Sequence, residues 1–331
     1  MAEQLLDVYG VRVALSGCEE AVSGVSAHFA GFLAGPGDRA AASVTVKLVC
    51  EPPRLAPSAR LVADHFCERG VVYNEGPVTW VDHQGSALSR FDHARDCGLV
   101  TAEAIEDLVE LGYLMVHSRL GMLLERRGLV RVHALGLVRD GRAALVLAPP
   151  GGGKSALALA LLRRTRALLL SDDVVLLDAH GLAYPFPHPI GVSNPEVAEG
   201  IGPVRPFCRR HHSPKWIIEL GALLPRHATG PAPVSMVARL VRVTSPPSRL
   251  VRAGRLEALS ALWRDAVIGL GLPQVVELVL RHGARDLWRQ TPRAMRRAQT
   301  VARIWATARS ATLEVFDPNE AARALFDALG R

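Results

Sequence analysis

The chain has 331 residues, 49% of them hydrophobic and 21% charged, with a formal net charge of +7. That length admits two domains with a large buried core, and the balance excludes a disordered polar chain. Five cysteines without a CxxC pair exclude a disulfide framework and a zinc site, and no apolar run reaches the ~18 residues of a membrane span, so an unexported, cytoplasmic protein is expected.

The cations are nearly all arginine, since only Lys47, Lys154 and Lys215 are lysines. The positive balance is therefore a weak argument for a nucleic-acid partner, and Lys154 stands out.

Residues 5–100 read as short extended pieces, DVYGVRVAL, SVTVKLVC, GVVYN and PVTWVDHQGSALSRF, with a helix near 19–33 between the first two. The prolines of EPPRLAPS (51–58) mark a loop. From Thr101 to Arg127, Ile105, Leu108, Leu111, Met115, Leu120 and Leu124 recur at helical intervals, with Thr101 as the cap and Gly128 as the stop. This predicts a strand-rich α+β domain over 1–128, a candidate for acceptor recognition, and a second domain over 129–331. The second domain opens strand, strand, glycine loop, helix, strand. A loop-rich passage (184–214), strands KWIIEL and SMVARLVRV, a largely helical stretch, a late strand ATLEVF and a final helix DPNEAARALFDAL follow.

In RAALVLAPPGGGKSALALALLRR an apolar strand (142–148) runs into Gly151, Gly152, Gly153, Lys154 and Ser155, and an amphipathic helix starts at once. This is the setting of a phosphate-binding loop: glycines let backbone N–H groups turn toward phosphate oxygens, and the helix start adds its positive end. Lys154 would then neutralise the β and γ phosphates of ATP, and the Ser155 hydroxyl would ligate Mg²⁺. Ala148 stands where the GxxxxGK[ST] pattern has its first glycine.

Asp172 follows Lys154 by only eighteen residues, in ALLLSDDVVLLD. That interval holds one helix and one adjacent strand, which would bring Asp172 and Asp173 beside the γ-phosphate. One carboxylate could take the proton of an attacking hydroxyl and the other could hold Mg²⁺.

At these residues the chain resembles the HPr kinase/phosphorylase family, whose nucleotide core is like that of phosphoenolpyruvate carboxykinase. The matching pieces are His133 in VRVHALGLV, APPGGGKS, LLLSDDVVLLD and YPFPHPIGV. The resemblance implies a mixed α/β P-loop kinase core in which Lys154 and Ser155 bind phosphate and metal. It makes Asp172 the catalytic base, puts Asp173 at the metal and places His133 near the transferred phosphoryl group. The family's later glutamate and its Arg-Gly-Leu-Gly type segment have only PEVAEGIG (195–202) as a counterpart, which makes Glu196 or Glu199 the candidate further metal ligand. The layout is more similar to the kinases of peptide-modification cassettes, such as those that phosphorylate a serine of lasso-peptide precursors. The implied reaction is transfer of the ATP γ-phosphate to a serine hydroxyl of a peptide or small protein. A bifunctional HPr kinase/phosphorylase, a non-catalytic ATP-binding regulatory module and a nucleic-acid ATPase are the alternatives, and a homo-oligomer is compatible with all of them.

Two arginine groups have no assigned role. Arg281, Arg285, Arg289, Arg293 and Arg297 recur every four residues, which suits a solvated helix face or a docking stripe. Arg205, Arg209, Arg210, His211, His212 and Lys215 lie in the loop-rich stretch and could grip phosphate or acceptor.

Overall fold

The computed structural model describes residues 2–35, 41–54, 63–67, 70–210, 213–268 and 284–331. Two compact units emerge, one built mainly from Met1–Leu124 with Pro206–Trp216, the other from Glu125–Arg205, Ile217–Leu272 and Arg289–Arg331.

The first unit holds strands β1 (Ala2–Val8), β2 (Val11–Gly17), β3 (Val44–Cys50), β4 (Ala63–Cys67), β5 (Gly70–Glu75), β6 (Val78–Asp82), β7 (Ala87–Asp92) and β8 (Cys97–Ala102). They form one sheet in the order β1-β2-β3-β8-β7-β6-β5-β4. Only β2–β3 and β3–β8 are parallel. Every second residue of β2, from Val11 to Gly17, is buried, the period that puts one sheet face in the core. Helices α1 (Glu19–His28) and α2 (Ile105–Arg126) cover that face. They come so close that a Cβ on Gly112 of α2 would stand 2.9 Å from both Leu48 of β3 and Val25 of α1.

The structure departs from several local expectations. DVYGVRVAL is a hairpin rather than one extended piece, because Tyr9 (φ 52°) and Gly10 (φ 77°) make a two-residue turn whose Gly10 N–H donates to Asp7 Oδ1 at 2.7 Å. PVTWVDHQGSALSRF likewise folds as β6 and β7. The helix near 19–33 ends at His28 and gives way to a 3₁₀ turn, Ala30–Phe32. Thr101 caps nothing, since it lies in β8 paired with Val49, and α2 begins only at Ile105. Gly128, at φ 88°, does terminate the helical segment as expected. Of EPPRLAPS, residues 55–58 lie outside the described residues.

The rest of the chain supplies β9 (Val130–Arg139), β10 (Arg142–Leu147), α3 (Lys154–Arg164), β11 (Leu168–Ser171), β12 (Val174–Leu177), β13 (Leu182–Tyr184), β14 (Gly191–Val192), β15 (Val204–Phe207) and β16 (Lys215–Ile218). Then come α4 (Leu220–Leu223), β17 (Ala232–Arg242), β18 (Arg249–Arg252), α5 (Arg255–Leu262), α6 (Ala284–Thr307), β19 (Arg309–Val315) and α7 (Pro318–Leu329). The main sheet runs β10-β9-β12-β13-β17-β19-β18, with β11 also on β9, and a parallel pairing of β10 with β17 closes part of it on itself. β14, β16 and β15 make a separate small sheet, so the passage 184–214 is not all loop, and β18 is a strand at the start of the stretch read as largely helical.

The core of the second unit gathers Val132, Leu145, Leu147, Leu170, Val175, Leu262 and Ile304, all fully buried. Asp317 caps α7 by accepting from the N–H groups of Asn319 (2.8 Å) and Glu320 (2.9 Å). The fold is thus mixed α/β, as expected. The arginine stripe is not a free face at its one end that can be followed: the Arg297 side chain is 15% exposed and pairs with buried Glu125. Arg281 and the side chains of Arg285 and Arg289 lie outside the described residues.

Candidate functional site

β9 is long enough to carry different neighbours along its two edges. β10 pairs with it over Ala134–Arg139, bringing Leu147 opposite Ala134. On the other side β11 ends with Ser171 opposite Gly136, and β12 begins with Val174 opposite His133. The loop that follows Leu147 and the turn that holds Asp172 and Asp173 therefore arrive at the same place on β9. The Ala134 N–H fixes the turn by donating to the Asp173 carbonyl at 3.0 Å.

The loop itself depends on its glycines. Gly151 (φ 75°) and Gly153 (φ 105°) hold left-handed conformations that side chains resist. Gly152 donates its N–H to the Pro149 carbonyl at 2.9 Å, and a Cβ there would stand 2.9 Å from both Ala148 Cβ and that carbonyl oxygen. α3 starts at Lys154 behind Gly153 with no side-chain cap. The first N–H groups of a helix lack intrahelical partners and attract anions, and here they open onto the glycine turn.

Lys154 is buried, and its ammonium group donates to the Ala148 carbonyl at 2.7 Å. Its Nζ also stands 2.9 Å from His133 Nε2. On the far side of the imidazole, His133 Nδ1 is 3.1 Å from Asp173 Oδ1 and 3.1 Å from the Asp173 carbonyl oxygen. Two acceptors at Nδ1 and an ammonium donor at Nε2 assign the tautomer: the proton sits on Nδ1 and the Nε2 lone pair faces Lys154. His133 thus links the loop cation to the acid pair.

The two aspartates have different surroundings. Asp172 is buried, and its Oδ2 accepts from the Ser155 hydroxyl at 3.2 Å. Burial, then the adjacent Asp173 charge, push its pKa up to about 7, against the pull of Ser155 and Lys154. Its Oδ1 is buried with no hydrogen-bond partner among the described residues. The Asp173 side chain keeps 45% of its exposure. Burial would raise its pKa too, but the hydrogen bond from His133, together with the charge of Lys154, outweighs that and holds the carboxyl below its ordinary range.

His188, which has no role in the sequence reading, sits in the YPFPHP run. Phe186 anchors that run by donating its N–H to the Leu170 carbonyl of β11 at 2.8 Å. His188 is buried, and burial pushes its pKa down to about 4, with the Asp173 charge acting the other way. A histidine between two prolines in an apolar segment was the only sequence signal for it.

The structure brings together Gly151, Gly152, Gly153, Lys154, Ser155, His133, Asp172 and Asp173. It does not join Glu196 to them. That residue sits on a 3₁₀ turn, Pro195–Ala198, exposed, with Oε2 accepting from Asn194 Nδ2 at 3.1 Å, and no hydrogen bond or ion pair ties it to the acid pair. Among the described residues no three His, Cys, Asp or Glu side chains are grouped to hold a metal ion by themselves. The donors present, a hydroxyl and two carboxylates with one open buried oxygen, suit a hard cation whose remaining ligands come from phosphate and water, as with Mg²⁺.

The loop-rich arginine group is largely committed elsewhere. The Arg210 guanidinium pairs with Asp107 and donates to the His83 carbonyl at 2.8 Å, and its backbone N–H donates to Glu110 Oε2 at 2.8 Å. Arg209 donates to the Ser213 carbonyl at 2.6 Å. Burial lowers the pKa of Arg205, partly offset by Glu219. His211 and His212 lie outside the described residues.

A scan against protein-family models and a search of curated proteins found no match to this chain.

Proposed function

We propose that this protein is an ATP-dependent phosphotransferase of the HPr kinase type, with a nucleotide core like that of phosphoenolpyruvate carboxykinase. Its acceptor is a hydroxyl, serine first, of a peptide or small protein in peptide maturation. The observation that carries the reading is the contact of Asp172 with Ser155: a carboxylate from the acid turn rests on the hydroxyl that ends the glycine loop, with one buried oxygen still open.

In this reading the N–H groups of the loop and of the start of α3 take the phosphate oxygens, and Lys154 exchanges its loop carbonyl for them. Ser155 and Asp173 would hold Mg²⁺, which when bound neutralises phosphate charge and draws electron density from the reacting phosphorus. Asp172, through Oδ1, accepts the proton of the acceptor hydroxyl as the new O–P bond forms. The bond between the γ phosphorus and its bridging oxygen breaks, and ADP leaves. A pKa near neutrality suits that role, because about half of the base is ionised near pH 7 and it binds the transferred proton readily. His133 holds Asp173 ionised and Lys154 in place.

Incubation with labelled ATP and Ser-bearing peptides tests the reading. Transfer that depends on Asp172 supports it, whereas tight ATP binding without transfer to any hydroxyl favours a regulatory module.

A further inference from the structure

A cavity of about 610 Å³ lies in the second unit, well away from the acid pair. Its walls include Met236 of β17, Arg252 at the end of β18, Thr307 at the end of α6 and Arg309 and Ser310 at the start of β19. Met236 is opposite Ala144 of β10, whereas the glycine loop follows Leu147, opposite Arg239. The cavity therefore sits at the other end of the same parallel strands from the loop.

Two features make this a binding surface of definite chemistry. The first is charge. Arg252 and Arg309 line the cavity, both exposed, and among the described residues no aspartate or glutamate does. Arg252 has no ion-pair or hydrogen-bond partner among the described residues, and Arg309 spends one N–H on the Ala328 carbonyl at 3.1 Å.

The second feature is backbone. β18 ends the strand order of the main sheet. The Ala253 N–H donates to the Ser310 carbonyl at 3.2 Å, and in the antiparallel register Val251 faces Thr312 and Arg249 faces Glu314. Hydrogen-bonded pairs alternate along an antiparallel ladder, so Ala253, Val251 and Arg249 point their backbone groups at β19. Leu250 and Arg252 point theirs to the outer edge, with which no strand among the described residues pairs. An exposed edge with free N–H and C=O groups accepts an extended chain as a further strand.

We propose that the open edge of β18 and the adjoining cavity dock an extended acidic peptide segment, which adds as a strand while its carboxylates meet Arg252 and Arg309. Taking the acceptor to be a peptide rests on the phosphotransferase reading. The docked segment would then be a part of that acceptor remote from the reacting serine. Docking at this distance holds the peptide by backbone and charge and leaves the sequence around the phosphorylated hydroxyl free to vary.

The test measures fluorescence anisotropy of a labelled peptide of alternating glutamate and valine, without nucleotide, against one of alternating lysine and valine. The glutamate peptide binds and weakens with added salt, and Arg252→Glu lowers its affinity by about tenfold or more, the loss of one charge-assisted contact. Arg252→Lys binds more tightly than Arg252→Ala, and Arg252→Pro, which also removes the outward N–H, binds more weakly than Arg252→Ala at unchanged thermal midpoint. Equal binding of the two peptides overturns the proposal, as does wild-type affinity in both the Glu and the Pro variants. Because no ATP is present, a failed phosphotransferase reading leaves this binding intact. A failed docking proposal leaves transfer to a short serine peptide intact.

Discussion

Lys154 Nζ stands 2.9 Å from His133 Nε2, so the cation of the glycine loop and the histidine of β9 form one hydrogen-bonded unit. The same imidazole reaches Asp173 through Nδ1 at 3.1 Å. Charge on the loop and charge on the acid turn are therefore set together.

Lys154→Ala should lower ATP affinity by about 100-fold, the value of charge-assisted bonds to phosphate. His133→Ala should cost less in binding, because the ammonium group remains. Titration with a fluorescent ATP analogue measures both, and an unchanged Lys154→Ala affinity would contradict the site.

Gly152→Ala should abolish nucleotide binding while leaving the thermal midpoint nearly unchanged. Its Cβ would meet Ala148 Cβ and the Pro149 oxygen at 2.9 Å and open the turn. Ala148→Gly, which removes one of those atoms, should restore part of the binding in the double variant.

Asp172 predicts two pH effects. The raised pKa, about 7 against an ordinary 3.8, means the folded state binds the proton more tightly than the unfolded chain. Its contribution to stability is present below the ordinary value and is lost as pH rises to about 7. Measured without nucleotide or metal, Asp172→Asn should gain on the wild type between pH 4 and 8, by about 4 kcal/mol at most. His188, whose pKa is depressed, acts in the opposite direction, and comparing wild type with variant removes its effect. Melting curves at several pH values that stay parallel would refute this. In activity, transfer should rise with pH up to about 7 and then level.

Arg210 is a structural cation of the first unit, held by Asp107, Glu110 and the His83 carbonyl. Arg210→Ala leaves a mostly buried carboxylate unpaired and should lower stability by about 3 kcal/mol in denaturant titration. A loss below about 1 kcal/mol would return Arg210 to the pool of free surface cations.

The site was legible because its parts are local in sequence. Glycines, Lys154 and Ser155 are contiguous, and the short interval to Asp172 allows only one helix and one strand. What escaped depends on contacts far apart in the chain. Thr101 is a good cap by type, but pairing of β8 with β3 claims it for the sheet. The Tyr9-Gly10 turn lacks the usual Asn or Asp that announces such a hairpin. Glu196 entered only through the likeness of PEVAEGIG to a family segment, which says nothing of where a 3₁₀ turn points it. The role of Arg210 rests on partners about a hundred residues earlier, beyond any local pattern.

The most direct measurement compares wild type and Asp172→Asn for transfer of labelled γ-phosphate to Ser-bearing peptides, with ATP affinity measured alongside. The expected result is a fall in transfer of about 100-fold or more, as for loss of a general base, with ATP affinity kept or raised. Undiminished transfer by Asp172→Asn, or wild-type protein that binds ATP and phosphorylates no hydroxyl, would contradict it.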